Sequence, residues 1–291
     1  LIGGAQFIKE TLGISYGISL IGFALIVAIY VIFGGLIAVM YTDAVQGAIM
    51  LVGMTFLLIA TYLILGGITV ANTALTNMAD LVPAKLAEQG MNGWTVMPDL
   101  GSPIWYTVIT TLVLGVGIGV LAQPQLVVRF MTAKDNRSLN RAVLVGGPFI
   151  LMMTGVAFTV GALTNVYFYQ TQGKIAAQVA TAGNIDTIIP IFINSAMPEW
   201  FVVLFMVTLL AAAMSTLSSQ FHAMGTALIC DVWGRGRECA LSLRANQAGV
   251  LAMIILSVII AFLMPGSIIA IATAMFMGLC ASAFLPIFAV A

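Results

Sequence analysis

The chain has 291 residues, of which 62% are hydrophobic and only 7% are charged, and its mean hydropathy is +1.14. Soluble domains are roughly 45–50% apolar and about 25% charged, so this composition excludes a water-soluble globular domain and predicts an all-α, polytopic membrane protein. Ten basic residues balance ten acidic ones, which provides no basic surface for a nucleic-acid partner.

The apolar segments predict seven transmembrane helices after a short N-terminal stub, because a helix that crosses a bilayer needs roughly 20 apolar residues. The stub covers 1–12, and the helices are A (15–38), B (43–67), C (104–131), D (142–168), E (199–230), F (248–264) and G (from 267 to the last residue). The sequence opens and closes inside apolar stretches. We therefore expect an internal part of a longer, transporter-sized chain.

The positively charged residues predict the orientation, because cytoplasmic loops retain Lys and Arg. Seven of the ten basic residues lie in or beside the C–D and E–F loops: Arg129, Lys134, Arg137, Arg141, Arg235, Arg237 and Arg244. The B–C and D–E loops are longer and mildly acidic, so we expect them on the outer side. Strict alternation then places the A–B turn on the cytoplasmic side.

Asp43 begins helix B, where an acidic side chain is favoured by capping and by the helix dipole. That structural role is the simpler explanation. The functional alternative is a carboxylate at the cytoplasmic mouth, which attracts a leaving cation or pairs with Arg129.

Helix C combines glycines and a proline in a way that weakens a helix in the middle of the membrane. Gly115, Gly117 and Gly119 alternate, and Pro124 follows five residues later. Interrupted helices frame substrate and ion sites in secondary transporters. The candidate substrate path comprises Gly115, Val116, Gly117, Gly119, Val120, Gln123 and Pro124. Close helix packing through the glycines, with a kink at the proline, is the alternative.

Helix E carries the densest group of polar residues at membrane depth. Ala212, Ser215, Thr216 and Ser219 share one side of the helix, and we call them the hydroxyl face. Hydroxyl and carbonyl oxygens together suit a hard cation such as Na⁺, and uncharged oxygens allow its release. Helix packing is the alternative, because Ser and Thr also bond back to helix carbonyls.

No enzyme is expected from this sequence. It contains no phosphate loop and no convincing nucleophile–base set, and its three cysteines fit no metal-ligand spacing. His222 is the single histidine, so a hydrogen-bonded helix residue is a simpler interpretation than a proton relay. We expect no organic cofactor.

Three segments resemble motifs of the sodium/solute symporter family. GGLIAV at 34–39, followed by TDAVQ at 42–46, resembles the GG-[LF]-x-A-V-x-x-TD-x-x-Q signature. AQPQLVVRF at 122–130 resembles the G-[QL]-P-H-x-x-x-R-[FC] segment, and LAAAMSTLSSQ at 210–220 resembles L-A-A-x-M-S-T-x-x-x-Q. The motifs occur in family order with family-like spacing, and the chain looks most similar to the pantothenate and proline branches.

The resemblance implies an incomplete inverted-repeat fold like that of the leucine transporter. It makes 1–291 a partial single transporter domain, in which 1–68 ends the first repeat and 104–291 forms the second. It also assigns sodium-ligand positions to the Ala212 carbonyl and to the Ser215 and Thr216 hydroxyls, with further ligands from an upstream broken helix.

The chain departs from the family patterns at two places. The proline branch has aromatic residues where Val116 and Val120 stand, and the family usually has His at the position of Gln125.

The function implied is sodium-coupled symport of a small organic solute, such as a carboxylate, vitamin or amino acid, by alternating access. Sodium is the coupling ion, Asp43 marks its cytoplasmic exit, and Ser219 and Arg129 support the sites. The expected partners are sodium, the solute and the lipids of the plasma membrane. A transporter-like sensor module and a sodium-independent or proton-coupled carrier remain as alternatives, and so does a structural membrane subunit.

Overall fold

The computed structural model describes residues 1–131, 133–234, 243–264 and 269–290. All regular secondary structure in these ranges is helical, which confirms the all-α fold class. The predictions that involve Arg235 and Arg237 lie outside the described residues, and so does the side chain of Arg129.

The helices follow the predicted order along the chain. The α-helices are α1 (Ile2–Leu12), α2 (Tyr16–Ile64), α3 (Ile68–Asn77), α4 (Ala84–Ala87), α5 (Pro103–Tyr106), α6 (Gly117–Leu121), α7 (Pro124–Met131), α8 (Asn136–Gln172), α9 (Ala176–Val179), α10 (Ile188–Ala196), α11 (Glu199–Thr226), α12 (Leu243–Leu263), α13 (Ile269–Ala283) and α14 (Leu285–Val290). Two π-helical segments (Thr107–Val116 and Ala227–Trp233) and three short 3₁₀ turns (Ala79–Leu81, Thr181–Gly183 and Ile185–Thr187) complete the described structure.

Six helical stretches in the described ranges are long and apolar enough to cross a bilayer, as judged by length and composition. They are Tyr16–Gly34, Val39–Ile64, Pro103–Val128, Asn136–Gln172, Glu199–Trp233 and Leu243–Leu263, and they correspond to predicted helices A to F. Predicted helix G corresponds to a shorter apolar stretch, Ile271–Ile287. The chain is therefore a multi-pass membrane protein.

Helix D is longer than the sequence indicated, because it begins at Asn136 and not at 142. The Asp135 carboxylate caps it by accepting the backbone N–H of Ser138 at 2.7 Å. Hydrogen bonds from Ser138 also lower the pKa of Asp135. The helix ends at Gly173, whose φ of 67° lies in the left-handed region.

Predicted helices A and B are joined by helical backbone into the 49-residue helix α2, so the expected separation by a turn at 39–42 is wrong. This helix is nevertheless bent. The hydroxyls of Tyr30 and Thr42 are hydrogen-bonded to each other. Twelve residues of straight helix would separate their backbones by about 18 Å, which is further than the two side chains can span. The bend contains the Gly34-Gly35 pair, a common cause of kinks.

The described residues divide into two compact units, and α2 passes from one to the other at Met54. Unit 1 comprises Leu1–Met54 and Pro190–Gly266. Its main apolar core packs three helices: α2 contributes Phe23, Val27, Ala28 and Val31, α11 contributes Phe221, and α12 contributes Val250 and Ile254. These side chains are at most 9% exposed, so the core sits between the three helices.

Unit 2 comprises Thr55–Ile189 and Ser267–Ala291. One of its cores packs the end of α2 and helix α3 against α8 and the following loop, through Leu65, Ala71, Leu75, Met78, Leu163, Val166 and Ile175. In the same unit α13 packs against the π-helical segment Thr107–Val116 and helix α6 of helix C. The assignment of 1–68 and 104–291 to two repeats stays a prediction.

Candidate functional site

The hydroxyl face lies in the C-terminal half of α11, and its hydroxyl groups bond to the carbonyls of their own helix. Ser215 and Thr216 both donate to the Ala212 carbonyl oxygen, at 3.1 and 3.0 Å, and Ser219 donates to the Ser215 carbonyl at 3.0 Å. A hydroxyl has one proton and two lone pairs. Donation to the backbone therefore leaves the Ser215 and Thr216 hydroxyl oxygens with lone pairs that could bind a cation.

The hydroxyl face is directed away from the apolar core of unit 1. Leu210, Ala213, Met214, Leu217 and Met224 of α11 pack against that core and lie on the opposite side of the helix. Thr216 is exposed, whereas Ala212, Ser215 and Ser219 are partly buried. Thr216 on this face is therefore open to a ligand, and the hydroxyl face lies outside the main apolar core of its unit.

Helix α2 also touches α11 beyond its bend, near the N-terminal side of the hydroxyl face. A Cβ atom added to Gly53 would lie only 2.2 Å from the Thr208 Oγ1, so the two helices touch at this glycine. Thr208 is 3% exposed. Glycine is required here because any side chain would overlap Thr208.

The bend of α2 lies toward the other end of α11. Gln247 of α12 donates to the Ile32 carbonyl oxygen at 3.0 Å. Two residues further along α12, a Cβ on Gly249 would lie 2.8 Å from the Gly225 carbonyl of α11. The bend is therefore near the level of Gly225, whereas Gly53 is at Thr208. It follows that the second half of α2 runs antiparallel to α11.

This direction places Asp43 near the C-terminal end of the hydroxyl face. Asp43 precedes Gly53 by ten residues, about 15 Å of helix, which reaches the level of Ser218 on α11. Asp43 is partly buried, whereas the next two residues of α2 are exposed. The helical levels thus place Asp43 toward the C-terminal end of the hydroxyl face, within unit 1.

Gln46 is a candidate that the sequence reasoning did not assign. It lies two helical turns before Gly53 and therefore on the same side of α2. Its Oε1 atom is buried and has no hydrogen-bond partner among the described residues. The spacing of seven residues from Gly53 identifies Gln46 as a residue on the side of α2 that faces α11, but only once the contact of Gly53 with Thr208 is known.

Helix C is interrupted, although further along than the glycines indicated. The backbone is π-helical from Thr107 to Val116 and α-helical from Gly117 to Leu121. The break falls at Ala122 and Gln123, immediately before Pro124, whose ring disfavours helical backbone in the preceding residue. The proline, rather than the glycine run, therefore interrupts this helix.

Gly119 has a packing role. A Cβ atom there would lie 2.2 Å from the carbonyl oxygen of Met277 on α13, so the two backbones touch. The Gln123 amide donates to the Met277 sulfur at 2.7 Å, and the Gln125 amide donates to the Gln123 side-chain oxygen at 2.7 Å. By contrast, Gly117 has no atom within 4 Å of an added Cβ.

The candidate residues therefore fall into two groups. The hydroxyl face and Asp43 belong to unit 1, and the substrate-path residues belong to unit 2. Gly115, Val116, Val120 and Pro124 are partly buried, and Gln123 is buried. A pairing of Asp43 with Arg129 lies outside what is described, because the Arg129 side chain is not included.

His222 lies one turn beyond Ser219 on α11, and its Nε2 atom is buried without a hydrogen-bond partner among the described residues. In the described part of the chain, no three His, Cys, Asp or Glu residues are grouped as metal ligands.

The known proteins most usefully compared with this chain are solute transporters. The chain is 30% identical over 233 residues to the sodium/pantothenate symporter of Haemophilus influenzae, a match that covers 80% of this chain and 43% of the relative. It is 28% identical over 240 residues to the high-affinity proline transporter PutP of Bacillus subtilis, covering 80% and 44%. The chain thus spans less than half the length of the curated relatives it matches.

The fold is also found among solved structures. A Na⁺-coupled sialic acid symporter, solved in a substrate-bound outward-open state, matches with a TM-score of 0.69 and 21% identity over 98% of this chain and 58% of its own. This likeness supports the inverted-repeat fold. The sequence profile of the Sodium:solute symporter family matches residues 1–291, and the chain belongs to that family.

Proposed function

We propose that the full-length protein is a sodium-coupled secondary active symporter of a small organic solute, which works by alternating access. The observation that carries the proposal is the pair of Ser215 and Thr216 hydroxyls on α11, which share the Ala212 carbonyl and whose oxygen atoms retain lone pairs. Family membership supports it, because the relatives named above are sodium-coupled symporters or solute transporters.

Sodium binding at this face requires a local exchange of partners. Both the Ser215 and Thr216 hydroxyls bond to the Ala212 carbonyl. A sodium ion at that carbonyl would replace the two hydroxyl protons, and both side chains would rotate their oxygens toward the ion. Without sodium, the same bonds satisfy the hydroxyl groups inside the membrane. The helix is therefore stable in both states, and neutral oxygens keep the binding reversible.

Three oxygen atoms from α11 do not surround an ion. The remaining ligands must come from another element, and the broken upstream helix implied by the family resemblance is the proposed source. Asp43 lies at the level of Ser218, further along α11 than Thr216. With the predicted orientation this is the cytoplasmic side, so the carboxylate attracts the cation as it leaves.

The solute is proposed to bind at the break in helix C. The backbone at Ala122 and Gln123 leaves the regular helix, and the Gln123 and Gln125 amides are joined there by a hydrogen bond. Such a break offers both N–H donors and carbonyl acceptors at membrane depth. Pantothenate, proline and sialic acid, the solutes of the relatives named above, each carry a carboxylate. We therefore propose a small carboxylate as the first class to test.

Coupling requires only that sodium and solute favour the same conformation. At a potential of 100 mV, one sodium ion moving inward supplies about 2.3 kcal/mol, before its concentration gradient is added. That free energy concentrates a solute roughly fifty-fold. One ion per cycle is therefore sufficient to drive accumulation.

Radiolabelled uptake by the full-length protein in proteoliposomes tests this function. Small carboxylates, vitamins, amino acids and sugars are offered with an inward sodium gradient, and uptake of one solute should rise above empty vesicles and fall when choline replaces sodium. Full uptake in choline, without a pH gradient, would overturn sodium coupling. Solute binding without accumulation would favour a sensor instead.

A further inference from the structure

The bend in α2 is held by side-chain hydrogen bonds from two directions, all within unit 1. Gln247 of α12 donates to the Ile32 carbonyl on the first side of the bend. Thr42 donates its own proton to the Val39 carbonyl at 2.9 Å. The Tyr30 and Thr42 hydroxyls are hydrogen-bonded to each other, and either can be the donor. Together these bonds tie both sides of the bend to each other and to α12.

Asp43 directly follows Thr42, whose side chain is hydrogen-bonded across the bend to Tyr30. The direction in which α2 leaves the bend therefore sets where the carboxylate lies along α11. The second fixed point is Gly53, which touches Thr208. Asp43 lies between the two, and a change in the bend would shift its carboxylate, whereas Gly53 would remain held by its contact.

A polar Gln247 in this apolar helix is explained by its hydrogen bond to the Ile32 carbonyl. It lies in the second turn of α12, a membrane-length apolar helix, and is partly buried there, where an unpaired amide is costly. Its partner is a carbonyl of a different helix, 215 residues away in sequence. The neighbouring amide, Asn246, instead pairs with the Thr226 hydroxyl at an exposed position. The two adjacent amides therefore bond to different helices: Asn246 to α11 and Gln247 to α2.

We propose that Gln247, together with Tyr30, is a positioning residue for the exit of the cation. The two side chains fix the bend of α2 that presents the Asp43 carboxylate at the C-terminal end of the hydroxyl face. The inference rests on the proposed sodium-coupled function, and it assigns the role to α12, a helix with no candidate ligand of its own.

The test is sodium-dependent uptake by the full-length protein in proteoliposomes, with Gln247→Leu and Tyr30→Phe measured separately. Each should raise the sodium concentration for half-maximal uptake roughly threefold to tenfold, the range expected for one hydrogen bond. The solute concentration for half-maximal uptake, measured at saturating sodium, should stay unchanged. Asn246→Leu is the matched control and should leave the sodium dependence as in the parent protein.

A double-mutant cycle with Asp43→Asn separates positioning from general damage. If Gln247 acts through the carboxylate, Gln247→Leu should have little further effect on sodium dependence in the Asp43→Asn protein. Fully additive effects would overturn the inference. An unchanged sodium dependence in Tyr30→Phe would also overturn the inference. Because Tyr30→Phe is the milder variant, it provides the test if Gln247→Leu fails to fold. Sodium-independent uptake by the parent protein would instead refute the proposed function and, with it, the inference.

Discussion

At the scale of single residues, the hydroxyl groups of α11 have two compatible roles. The Ser215 and Thr216 protons are used inside the helix, on the Ala212 carbonyl, and the lone pairs of these two hydroxyls remain available to a cation. Back-bonding and cation binding were rival explanations of the sequence pattern. In the proposed cycle sodium takes over the Ala212 carbonyl from the two hydroxyl protons, so back-bonding and cation binding describe the sodium-free and sodium-bound states of the same groups.

Removing these hydroxyls should weaken sodium binding more than folding. Thr216→Val and Ser215→Ala should each raise the sodium concentration for half-maximal uptake by roughly tenfold, because one polar ligand of ~1.4 kcal/mol is lost. Ser282→Ala is the matched control, since Ser282 makes the same type of bond to the Leu279 carbonyl on α13. Unchanged sodium dependence in both variants would argue against this site.

At the scale of helices, glycines determine where the elements meet. Gly53 touches Thr208, Gly249 touches the Gly225 carbonyl, and Gly119 touches the Met277 carbonyl. Small residues allow close approach of backbones, which is how helices associate inside a bilayer. Other glycines of the same helices face open space, so glycine content alone does not identify a contact.

The Gly53 contact can be tested by stability in detergent. Gly53→Ala should lower the unfolding temperature, because its Cβ would overlap Thr208, whereas Gly47→Ala on the same helix should not, since nothing lies within 4 Å of that position. Adding Thr208→Ala to Gly53→Ala should restore part of the loss, because the Thr208 Cβ itself remains 3.0 Å from the added atom. Equal effects at Gly53 and Gly47 would refute the assigned contact.

The two glycines of helix C should separate transport from packing. Gly117→Leu should abolish uptake without loss of folded protein, because the space there is open, as a solute path requires. Gly119→Ala should lower stability, because its Cβ meets the Met277 backbone, which cannot rotate away. Uptake is measured beside the yield of monodisperse protein. Normal transport by Gly117→Leu would remove helix C from the solute path.

At the scale of the whole molecule, the six spans from Tyr16–Gly34 to Leu243–Leu263 agree with helices A to F of the seven predicted from hydropathy, whereas helix G corresponds to the shorter stretch Ile271–Ile287. The loop after helix C carries Lys134, and the loop after helix B carries Lys85; both lysines are exposed. The distribution of basic residues predicts that these two loops lie on opposite sides of the membrane.

Thiol labelling tests this topology in intact cells. In full-length protein whose native cysteines are replaced, Lys85→Cys should react with an impermeant maleimide added outside. Lys134→Cys should react only after the membrane is permeabilised. Labelling of both positions from the same side would mean that one predicted crossing is absent.

The sequence by itself determined the membrane class, the helical spans and the residues of the hydroxyl face. These depend on hydropathy and on helical periodicity, which are local properties that a span must satisfy alone. The early start of helix D at Asn136 also had a local cause in Asp135, although the apolar pattern began later.

Only the tertiary structure decided which residues meet. The bend that joins helices A and B depends on Gln247, which is 215 residues from its partner Ile32, and the position of the hydroxyl face relative to Asp43 depends on the Gly53 contact. The use of Gly119 for packing, beside an open Gly117, depends on helix α13. Such contacts arise between helices that are distant in sequence, so no periodicity within one helix contains them.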